Sequence, residues 1–563
     1  MYLKTITFCL IFVISVRATE PEHESPKPLS GNVVGSFEAE EGRIVGKIRI
    51  RTDADPKEGY SGTGYLDAFQ DDSRVEFDIV FPQDGFYDLN FILRSGPNNW
   101  KGNKVYVDGK YVDWVGVAEG KFVDSILPRV YMTAGPHVVA LVKDMGWISF
   151  DKLIVTESDP LPDDLYRVSA TPINPNADEN VRRLMQFLAD NYGKRTLTGL
   201  YAAGINSDEF RVVRNTTGRY PAIIGMDFIN ATPSRGSSER VADLAIEFDK
   251  AGGIVTICWH WSLPAQYGNN FYSSGTTIDL NKVFDGSDKA GYDLLISDID
   301  VISGQLKKMQ NAGVPILWRP LHEAAGRWFW WGKDGPEPYK KLWKLMYDRM
   351  TNKHKLNNLV WVWNGQGKDW YPGDDLLDII GDDIYAGDRN TNPLTKSFLQ
   401  NVQYTPTRKM IALTENGTLY DPDLAIRNET MWSFYACWFG SVARPRGQNN
   451  EEVYREPGFS DVHNDLEMFR KVYGHESMLT LDELPDLKTY PITERPAKES
   501  RNSKIVHTSR YWKSRNGKYT VEAVFVSRDN NRVTLKKADG ATIDVEISKL
   551  SDQDKEYILK SGD

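Results

Sequence analysis

The sequence predicts an α/β protein whose largest part is a (β/α)8 TIM barrel, preceded by a β-sandwich and followed by a small β-barrel. Short apolar runs alternate with amphipathic stretches, such as 181–188 and 294–309, in which apolar residues recur at helical spacing. Eight strand and helix rounds within about 300 residues indicate a closed parallel barrel. The candidate barrel strands are 196–201, 221–227, 254–260, 315–322, 359–363, 377–384, 410–414 and 433–439.

Antiparallel strands are predicted on both sides of this barrel. Residues 74–81, 85–92 and 137–142 alternate apolar and polar side chains between Gly, Pro, Asp and Asn, a pattern typical of a β-sandwich. Residues 519–526, 532–537 and 542–547 show strand patterns within a much shorter span. They indicate a compact β-barrel.

Stretches without hydrophobic periodicity divide the chain. Residues 1–18 have the layout of a signal peptide, because Lys4 precedes the apolar run 6–16 and Ala18 is a small residue suited to cleavage. The expected folded units are 36–157 (β-sandwich), 178–486 (barrel) and 507–561 (small domain). The segments 19–35, 158–177 and 487–506 are polar or rich in proline, and we interpret them as linkers.

Composition limits the class of partner. The chain of 563 residues has a net charge of −10, so no nucleic acid is expected. No later run approaches the ~20 apolar residues that span a bilayer, so no membrane partner is expected either. We predict a secreted, extracellular protein and expect a monomer. Its 16 Trp and 12% aromatic residues exceed what cores usually need.

Two cysteines remain once a signal peptide containing Cys9 is removed. Cys258 and Cys437 fall in predicted barrel strands that are not neighbours. Two free buried thiols are therefore favoured over a disulfide.

Two of the apolar runs close on a glutamate. Ile316-Leu-Trp-Arg-Pro-Leu-His-Glu323 is the first, and Met410-Ile-Ala-Leu-Thr-Glu415 is the second. The C-terminal ends of barrel strands share the rim where active sites lie, and two carboxyl groups in one cleft are the minimum for hydrolysing a glycosidic bond. An isolated strand-end glutamate is explained more simply as an ion-pair partner, but two with matching surroundings favour catalysis.

Several short motifs accompany these glutamates: Arg319-Pro-Leu-His-Glu323, Thr414-Glu415, Trp259-His-Trp261, Trp370-Tyr-Pro-Gly373, Asp383-Ile-Tyr385 and Trp438. Together, over residues 176–486, they resemble glycoside hydrolase family 26, whose members are mainly endo-β-1,4-mannanases. The resemblance implies that Glu323 is the acid/base and Glu415 the nucleophile of a retaining double displacement, with no cofactor in the chemistry. By strand count, the two glutamates close strands 4 and 7.

The resemblance also implies substrate-binding residues. Tyr385 is expected to hydrogen-bond the nucleophile and tune its pKa, and His260 and His322 are expected to hold sugar hydroxyls and orient the carboxylates. Trp328 and Trp438 are expected to wall the subsite of cleavage. The alternatives are a core role for either histidine and a backbone hydrogen bond for the tyrosine.

Other conspicuous side chains lie near these motifs. Arg319 is expected to pair with a carboxylate inside the barrel and to lower its pKa. Trp330, Trp331 and Trp363 are explained at least as well by packing as by sugar contact.

Three segments of the predicted sandwich, Phe37-Glu-Ala-Glu40, Gly59-Tyr-Ser-Gly-Thr-Gly-Tyr65 and Gly146-Trp-Ile-Ser-Phe-Asp151, resemble carbohydrate-binding module family 35. The resemblance implies that Glu38, Glu40 and Asp151 hold a structural Ca²⁺, an ion that takes about 6–8 oxygen ligands in flexible geometry. It also implies an aromatic platform for glycan, for which Trp147 is the first candidate and Trp100 and Trp114 follow. The alternatives are solvated strand carboxylates and core tryptophans.

The C-terminal unit resembles the Sla-type homology domain 1, a Src-homology-3-like module. The resemblance implies a peptide or protein ligand, and a role as a stabilising cap stays open.

The sequence thus predicts a secreted endo-β-1,4-mannanase whose partner is a mannan-type polysaccharide, such as glucomannan or galactomannan. One alternative is a hydrolase of another β-glycan, xylan or mixed-linkage glucan. The other is an adhesin that holds polysaccharide without cleaving it, against which the intact glutamate pair argues.

Overall fold

A computed structural model describes residues 31–97, 99–229, 231, 239–443 and 458–493, and in the C-terminal part residues 510–515, 519–528, 532–537, 541–551, 554, 555 and 558. The predicted signal peptide, with Cys9, lies outside the described residues. So do residues 19–30 and 494–506 of the predicted linkers. The chain divides into two compact units between residues 491 and 492.

The first unit begins with a β-sandwich. Its strands are β1 (Val33–Glu38), β2 (Arg43–Val45), β3 (Arg49–Arg51), β4 (Tyr65–Asp67), β5 (Arg74–Phe81), β6 (Gly85–Arg94), β7 (Lys101–Val107), β8 (Lys110–Val117), β9 (Val123–Met132), β10 (Gly135–Met145) and β11 (Ser149–Glu157). One sheet has the order β3-β4-β11-β6-β9, with β1 also paired to β11, and the other has the order β2-β5-β10-β7-β8.

Side-chain alternation explains the sandwich. Along β5, Val75, Phe77 and Ile79 are buried, whereas Asp78 and Val80 are exposed. Because successive side chains of a strand point to opposite faces, one face of each sheet packs on the other sheet. The predicted β-sandwich is confirmed.

The barrel follows the sandwich. Its helices are α1 (Glu179–Asn191), α2 (Asp208–Thr217), α3 (Glu239–Lys250), α4 (Leu280–Asp285), α5 (Lys289–Asn311), α6 (Trp330–Lys333), α7 (Pro336–Tyr347), α8 (Thr395–Val402), α9 (Pro422–Arg427) and α10 (Leu466–Gly474). Its strands are β12 (Thr196–Leu197), β13 (Gly199–Tyr201), β14 (Ile223–Asp227), β15 (Ile254–Cys258), β16 (Ile316–Arg319), β17 (Leu359–Trp363), β18 (Ile379–Ile384), β19 (Met410–Asn416), β20 (Tyr435–Cys437) and β21 (Met478–Leu479). Strands β13 to β20 close into a barrel, as predicted, and β12 pairs with β21 beside it.

The barrel strands are buried on both faces. Every residue of β15, β16, β17 and β19 is buried, as expected of parallel strands covered by helices. Trp330, Trp331 and Trp363 are fully buried as well. Packing therefore explains these three tryptophans.

Several barrel strands end earlier than the sequence predicts, and β16 shows the reason. It ends at Arg319, because Pro320 has no N–H to continue the ladder. Leu321 and Glu323 then take left-handed backbone angles, with φ of 52° and 53°. The chain turns over the rim here, so Glu323 stands on a loop rather than on the strand itself.

The predicted linker 158–177 contains no helix or strand, yet it is packed against the barrel. Leu165 and Val168 are buried in the barrel core. Tyr166 contacts Tyr192 of α1, with ring centroids 5.0 Å apart. The connection between sandwich and barrel is therefore fixed along its length.

Polar contacts also join the sandwich to the barrel. Arg129 of β9 is 6% exposed, and its Nη2 lies 3.0 Å from Glu429 Oε1. Asn392 Nδ2 donates to the carbonyl oxygen of Val112 at 2.6 Å. Each bond satisfies a group that the interface removes from water.

Trp114 belongs to this interface. Lys396 of α8 donates to the Trp114 carbonyl at 3.1 Å, and its ammonium lies 4.6 Å from the ring centroid. Trp100 packs edge-on against Trp114 at 4.8 Å. These two tryptophans therefore have a structural role in packing. Trp147 remains as the candidate platform for glycan binding.

The second unit contains a small antiparallel sheet. Its strands are β22 (Arg510–Lys513), β23 (Thr520–Arg528), β24 (Arg532–Lys537) and β25 (Thr542–Glu546), paired in that order. Trp512, Phe525 and Leu535 are buried in its core.

Two expectations from composition concern thiols and membranes. Cys258 and Cys437 are free and buried, as predicted. Within the residues that the structure describes, no helix is both long enough and apolar enough to cross a bilayer.

Candidate active site

Three carboxyl groups meet at the C-terminal rim of the barrel. Glu415 lies on β19 and Asp383 on the neighbouring β18, and Glu323 follows the end of β16. One carboxylate oxygen of each lies within 4.8 Å of the other two. In barrel order β16 and β19 are the fourth and seventh strands.

The buried side chain of Arg319 connects two of these groups. Its Nη1 donates to Asp383 Oδ2 at 2.6 Å, and its Nη2 donates to Glu415 Oε1 and, at 2.9 Å, to the Tyr201 hydroxyl. A guanidinium is a planar fork that can serve several acceptors at fixed angles. The orientation of Glu415 and Asp383 is therefore set by one buried cation.

The environment of Glu415 contains opposing influences. Burial raises its pKa above the ordinary value, and the charge of Asp383 raises it further. Arg319 and His260 lower the pKa of Glu415, because a nearby positive charge favours the carboxylate. Arg319 thus acts in the expected direction, but burial and Asp383 outweigh it.

Tyr385 contacts the second oxygen of Glu415. Its hydroxyl donates to Glu415 Oε2 at 2.9 Å. The residue is 52% exposed, so its ring faces the cleft while the hydroxyl is covered. Burial of that hydroxyl and the charge of Glu415 raise the pKa of Tyr385, which keeps it a donor at neutral pH.

Glu323 lies in a different environment. Trp328 Nε1 donates to Glu323 Oε2 at 2.8 Å. Burial raises the pKa of Glu323 well above its ordinary value, and the charges of Asp383 and Glu415 act in the same direction. Because Arg319 bonds directly to Glu415, we infer that Glu323 keeps its proton to a higher pH than Glu415 does.

His260 and His322 contact each other. His260 Nε2 lies 3.3 Å from His322 Nε2, and His260 Nδ1 lies 2.6 Å from Asp227 Oδ2. His322 is 1% exposed and His260 is 9% exposed. These contacts join the two imidazoles to Asp227 and to one another. The expected roles of both histidines in holding sugar hydroxyls and orienting the carboxylates stay predictions.

The predicted tryptophans lie beside the carboxylates. Trp328 is bonded to Glu323 through its indole nitrogen. Trp438 follows β20, and its ring centroid lies 5.7 Å from that of His260. Both are partly exposed, so each offers a flat apolar face on which a sugar ring can stack.

Two further exposed aromatic residues escaped the sequence analysis. Tyr272 is 39% exposed and stacks on Phe329 at 5.7 Å. Phe439 is 38% exposed and lies 5.5 Å from Trp438. Tyr272 lies in a loop far from any strand end, so its position in the sequence did not indicate that it would lie near the site. Phe439 directly follows Trp438, so its position in the sequence could have indicated that it lies near the site.

A polar network behind the carboxylates was also missed. Thr414 Oγ1 donates to Asp383 Oδ1 at 2.7 Å, and Asn364 Nδ2 donates to Thr414 Oγ1 at 2.6 Å. Asp227 is the last residue of β14. A polar residue that ends a buried barrel strand is the signal that could have found Asp227. Asp383 already belonged to the motif Asp383-Ile-Tyr385.

In the sandwich, the three predicted metal-binding carboxylates surround the turn at Ser61. Ser61 donates through its backbone N–H to Asp151 Oδ1 at 2.7 Å and through its hydroxyl to Glu38 Oε2 at 2.8 Å. Glu40 Oε1 accepts the Thr63 backbone N–H at 2.8 Å. Within the described residues Glu40 Oε2 is buried without a hydrogen-bond partner. A buried carboxylate oxygen without a donor fits a site that takes a hard cation.

Trp147 lies next to this cluster in sequence but faces solvent. It sits in the loop between β10 and β11 and is 66% exposed. A tryptophan ring so open to water contributes little to the core.

The sequence model of glycosyl hydrolase family 26 matches residues 173–459. A mannan endo-1,4-beta-mannosidase of Thermothelomyces thermophilus is 34% identical over 461 residues, which span 80% of this chain and 90% of the relative.

The chain belongs to glycosyl hydrolase family 26. Mannan endo-1,4-beta-mannosidase B of Piromyces is 31% identical over 498 residues, covering 86% of this chain and 80% of the relative. The crystal structure of a Podospora anserina GH26-CBM35 beta-(1,4)-mannanase is 32% identical, covers 81% of this chain and 99% of that one, and has a TM-score of 0.54.

Both accessory resemblances are confirmed as well. The sequence model of carbohydrate binding module family 35 matches residues 36–158, and that of SLA1 homology domain 1 matches residues 501–562. A barrel of family 26 is thus joined to a family 35 module and to this small domain in one chain.

The hydrogen bond from Tyr385 to Glu415 leads to a prediction. Tyr385→Phe keeps the ring but removes a bond to a charged group, so kcat on mannan should fall by about 10- to 100-fold. Tyr339→Phe is the matched control, because it removes a buried hydroxyl that donates to the Leu321 carbonyl at 3.2 Å. Steady-state kinetics of both variants provide the test, and an unchanged kcat in Tyr385→Phe would contradict the contact's importance.

Proposed function

We propose that this protein is an endo-β-1,4-mannanase that hydrolyses mannan-type polysaccharides such as glucomannan and galactomannan. Membership of family 26 and relatives named mannan endo-1,4-beta-mannosidase support the substrate class. The observation that carries the chemistry is the pair formed by the partly exposed Glu323 and the buried Glu415, whose nearest carboxylate oxygens lie within 4.8 Å.

The proposed mechanism is a double displacement. Glu415 attacks the anomeric carbon as a carboxylate, and Glu323 gives its proton to the departing glycosidic oxygen. Glu323, now ionised, then takes a proton from the water that breaks the ester to Glu415. In an inverting enzyme the two carboxyl groups are about 6.5–9.5 Å apart, because a water lies between them. Here one oxygen of Glu323 lies within 4.8 Å of one oxygen of Glu415. This close approach supports retention of configuration.

The remaining site residues are assigned to substrate binding. Trp328 and Trp438 wall the subsite where cleavage occurs, and the Trp328 indole also donates to Glu323. Tyr385 supports the nucleophile. His260 and His322 are also assigned to substrate binding as part of the wall of the site, with the ring nitrogens of His260 engaged by Asp227 and by His322.

We further propose that the protein is secreted and that its modules divide the work. Residues 1–18 have the layout of a signal peptide. The family 35 module binds mannan through Trp147 and is held closed by a Ca²⁺ bound by Glu38, Glu40 and Asp151. The buried, unpaired Glu40 Oε2 supports the metal, and the open Trp147 ring supports the glycan contact.

Replacing either glutamate tests the proposed function. Glu323→Gln and Glu415→Ala should each lose on the order of several powers of ten in activity on mannan, because each removes a group that acts at the transition state. Glu337→Gln, an exposed glutamate of α7, is the control. Reducing-sugar release is measured on mannan, galactomannan, xylan and mixed-linkage glucan in parallel. Faster hydrolysis of xylan or glucan would overturn the substrate class, and near-normal turnover in either variant would overturn its assigned role.

The calcium proposal predicts that the metal stabilises the module but plays no part in hydrolysis. Binding only to the folded state contributes about 2.7 kcal/mol at a hundredfold excess over the dissociation constant. EDTA should therefore lower the first calorimetric transition of the full chain and leave turnover at 25 °C unchanged. Glu40→Gln should remove most of that sensitivity.

Trp147→Ala is the complementary variant for the same experiment. It should weaken retention on mannan in affinity electrophoresis and leave the EDTA-sensitive transition unaltered, because stacking needs the ring but the metal site does not. Unchanged retention, or loss of hydrolysis on chelation, would show that this division of work is wrong.

A further inference from the structure

Asp227 holds His260 at two points. Its Oδ1 accepts the His260 backbone N–H at 3.1 Å, and its Oδ2 lies 2.6 Å from His260 Nδ1. The Asp227 side chain is 8% exposed and that of His260 is 11% exposed. A two-point contact fixes the position of the imidazole and determines that Nδ1 carries a proton donated to the carboxylate.

The other imidazole nitrogen faces His322. The two Nε2 atoms are 3.3 Å apart, so one must carry a proton and the other a lone pair. Burial lowers the pKa of His322 well below its ordinary value, as do the charges of Arg319 and His260. His322 is therefore neutral, and the arrangement in which it accepts from His260 leaves His260 protonated on both nitrogens.

Charged groups on several strands face His260. Asp227 ends β14, Arg319 ends β16 and Glu415 lies on β19, while Cys258 ends β15 two residues before His260. Burial lowers the pKa of His260, but Asp227 and Glu415 outweigh burial and Arg319 and raise the pKa above its ordinary value. A cationic His260 is the state that these neighbours favour.

Few positive charges act on Glu415. The groups near Glu415 are acidic or neutral: Asp383, Glu323, Tyr201 and Tyr385. The guanidinium of Arg319 is shared between Glu415 and Asp383. His260 is the second cation that lowers the pKa of Glu415. The nucleophile needs this help, because burial opposes its ionisation.

We propose that Asp227 is a positioning residue that holds His260 as an imidazolium at the rim that carries Glu415, with His322 as the neutral acceptor of its second N–H, so that Glu415 is kept ionised for attack. This inference rests on the proposed role of Glu415 as nucleophile. Asp227 contacts neither substrate nor the reacting atoms and acts through His260.

The test is the pH dependence of kcat/KM for mannan hydrolysis by the full chain. Asp227→Asn keeps an oxygen acceptor but removes the charge that favours imidazolium. Glu415 should then protonate at higher pH, so the acidic limb should move upward by about 0.5–1 pH unit, equivalent to about 3- to 10-fold lower kcat/KM on that limb. At higher pH, where Glu415 is ionised in any case, the deficit should shrink.

Asp298→Asn is the matched control. Asp298 is another buried carboxyl, and it accepts the indole N–H of Trp261, the residue next to His260, at 2.8 Å. This variant should leave the acidic limb where it is in the wild type. Melting temperatures of all variants establish that each is folded.

His260→Gln keeps the proposal testable if Asp227→Asn does not fold, since it removes the same positive charge and should move the acidic limb in the same direction. The double variant should show no shift beyond that of His260→Gln alone, because Asp227 acts only through His260. An acidic limb that stays at the wild-type pH in Asp227→Asn or in His260→Gln would overturn the role of Asp227. Wild-type turnover in Glu415→Ala would instead overturn the nucleophile assignment on which it rests.

Discussion

The ion pairs of Arg319 are the interaction on which the cleft depends. Three carboxyl groups with oxygens within 4.8 Å of one another repel when ionised. The Arg319 side chain, with no exposed surface, bonds to two of them and to the Tyr201 hydroxyl. Removing one partner of such a buried pair typically destabilises a protein by about 3–5 kcal/mol, because the charge left behind is unpaired. The same guanidinium thus stabilises the barrel interior and sets the geometry of the reacting groups.

The position of Arg319 also makes the two glutamates unequal. It bonds directly to Glu415, whereas the direct side-chain bond to Glu323 comes from the neutral indole of Trp328. Burial raises the pKa of both carboxyls, but among the described residues Arg319 contacts Glu415 directly and acts on Glu323 only from a distance. The site therefore holds a carboxylic acid beside a carboxylate at the same pH. Two glutamates in identical environments would have the same pKa and could not differ in this way. The fold produces this difference by placing one glutamate on a strand and the other on a loop.

Much of this arrangement could be predicted from the sequence, because hydrophobic periodicity and strand-end motifs are local signals. The eight barrel strands and the two strand-end glutamates are of this kind, whereas the contact of Tyr385 with Glu415 was implied by the resemblance to family 26. Partners that meet only through the closure of the barrel were out of reach. Asp227 ends β14 and His260 follows the end of the neighbouring β15, and nothing in the spacing of the two residues showed that they would share a proton. The contact between His260 and His322 was out of reach for the same reason. The packing of segment 158–177 was equally hidden, because irregular backbone has no periodicity to read.

The central claim is that Glu415 forms a covalent bond to the sugar, and mass spectrometry of a trapped intermediate tests it most directly. In Glu323→Gln, a β-mannoside with an aryl leaving group that departs without protonation can still react with Glu415, but the general base for the second step is missing. The account predicts that a glycosyl unit accumulates on the proteolytic peptide that contains Glu415. A label on another residue, or rapid turnover without any label and with inverted configuration of the product, would contradict it.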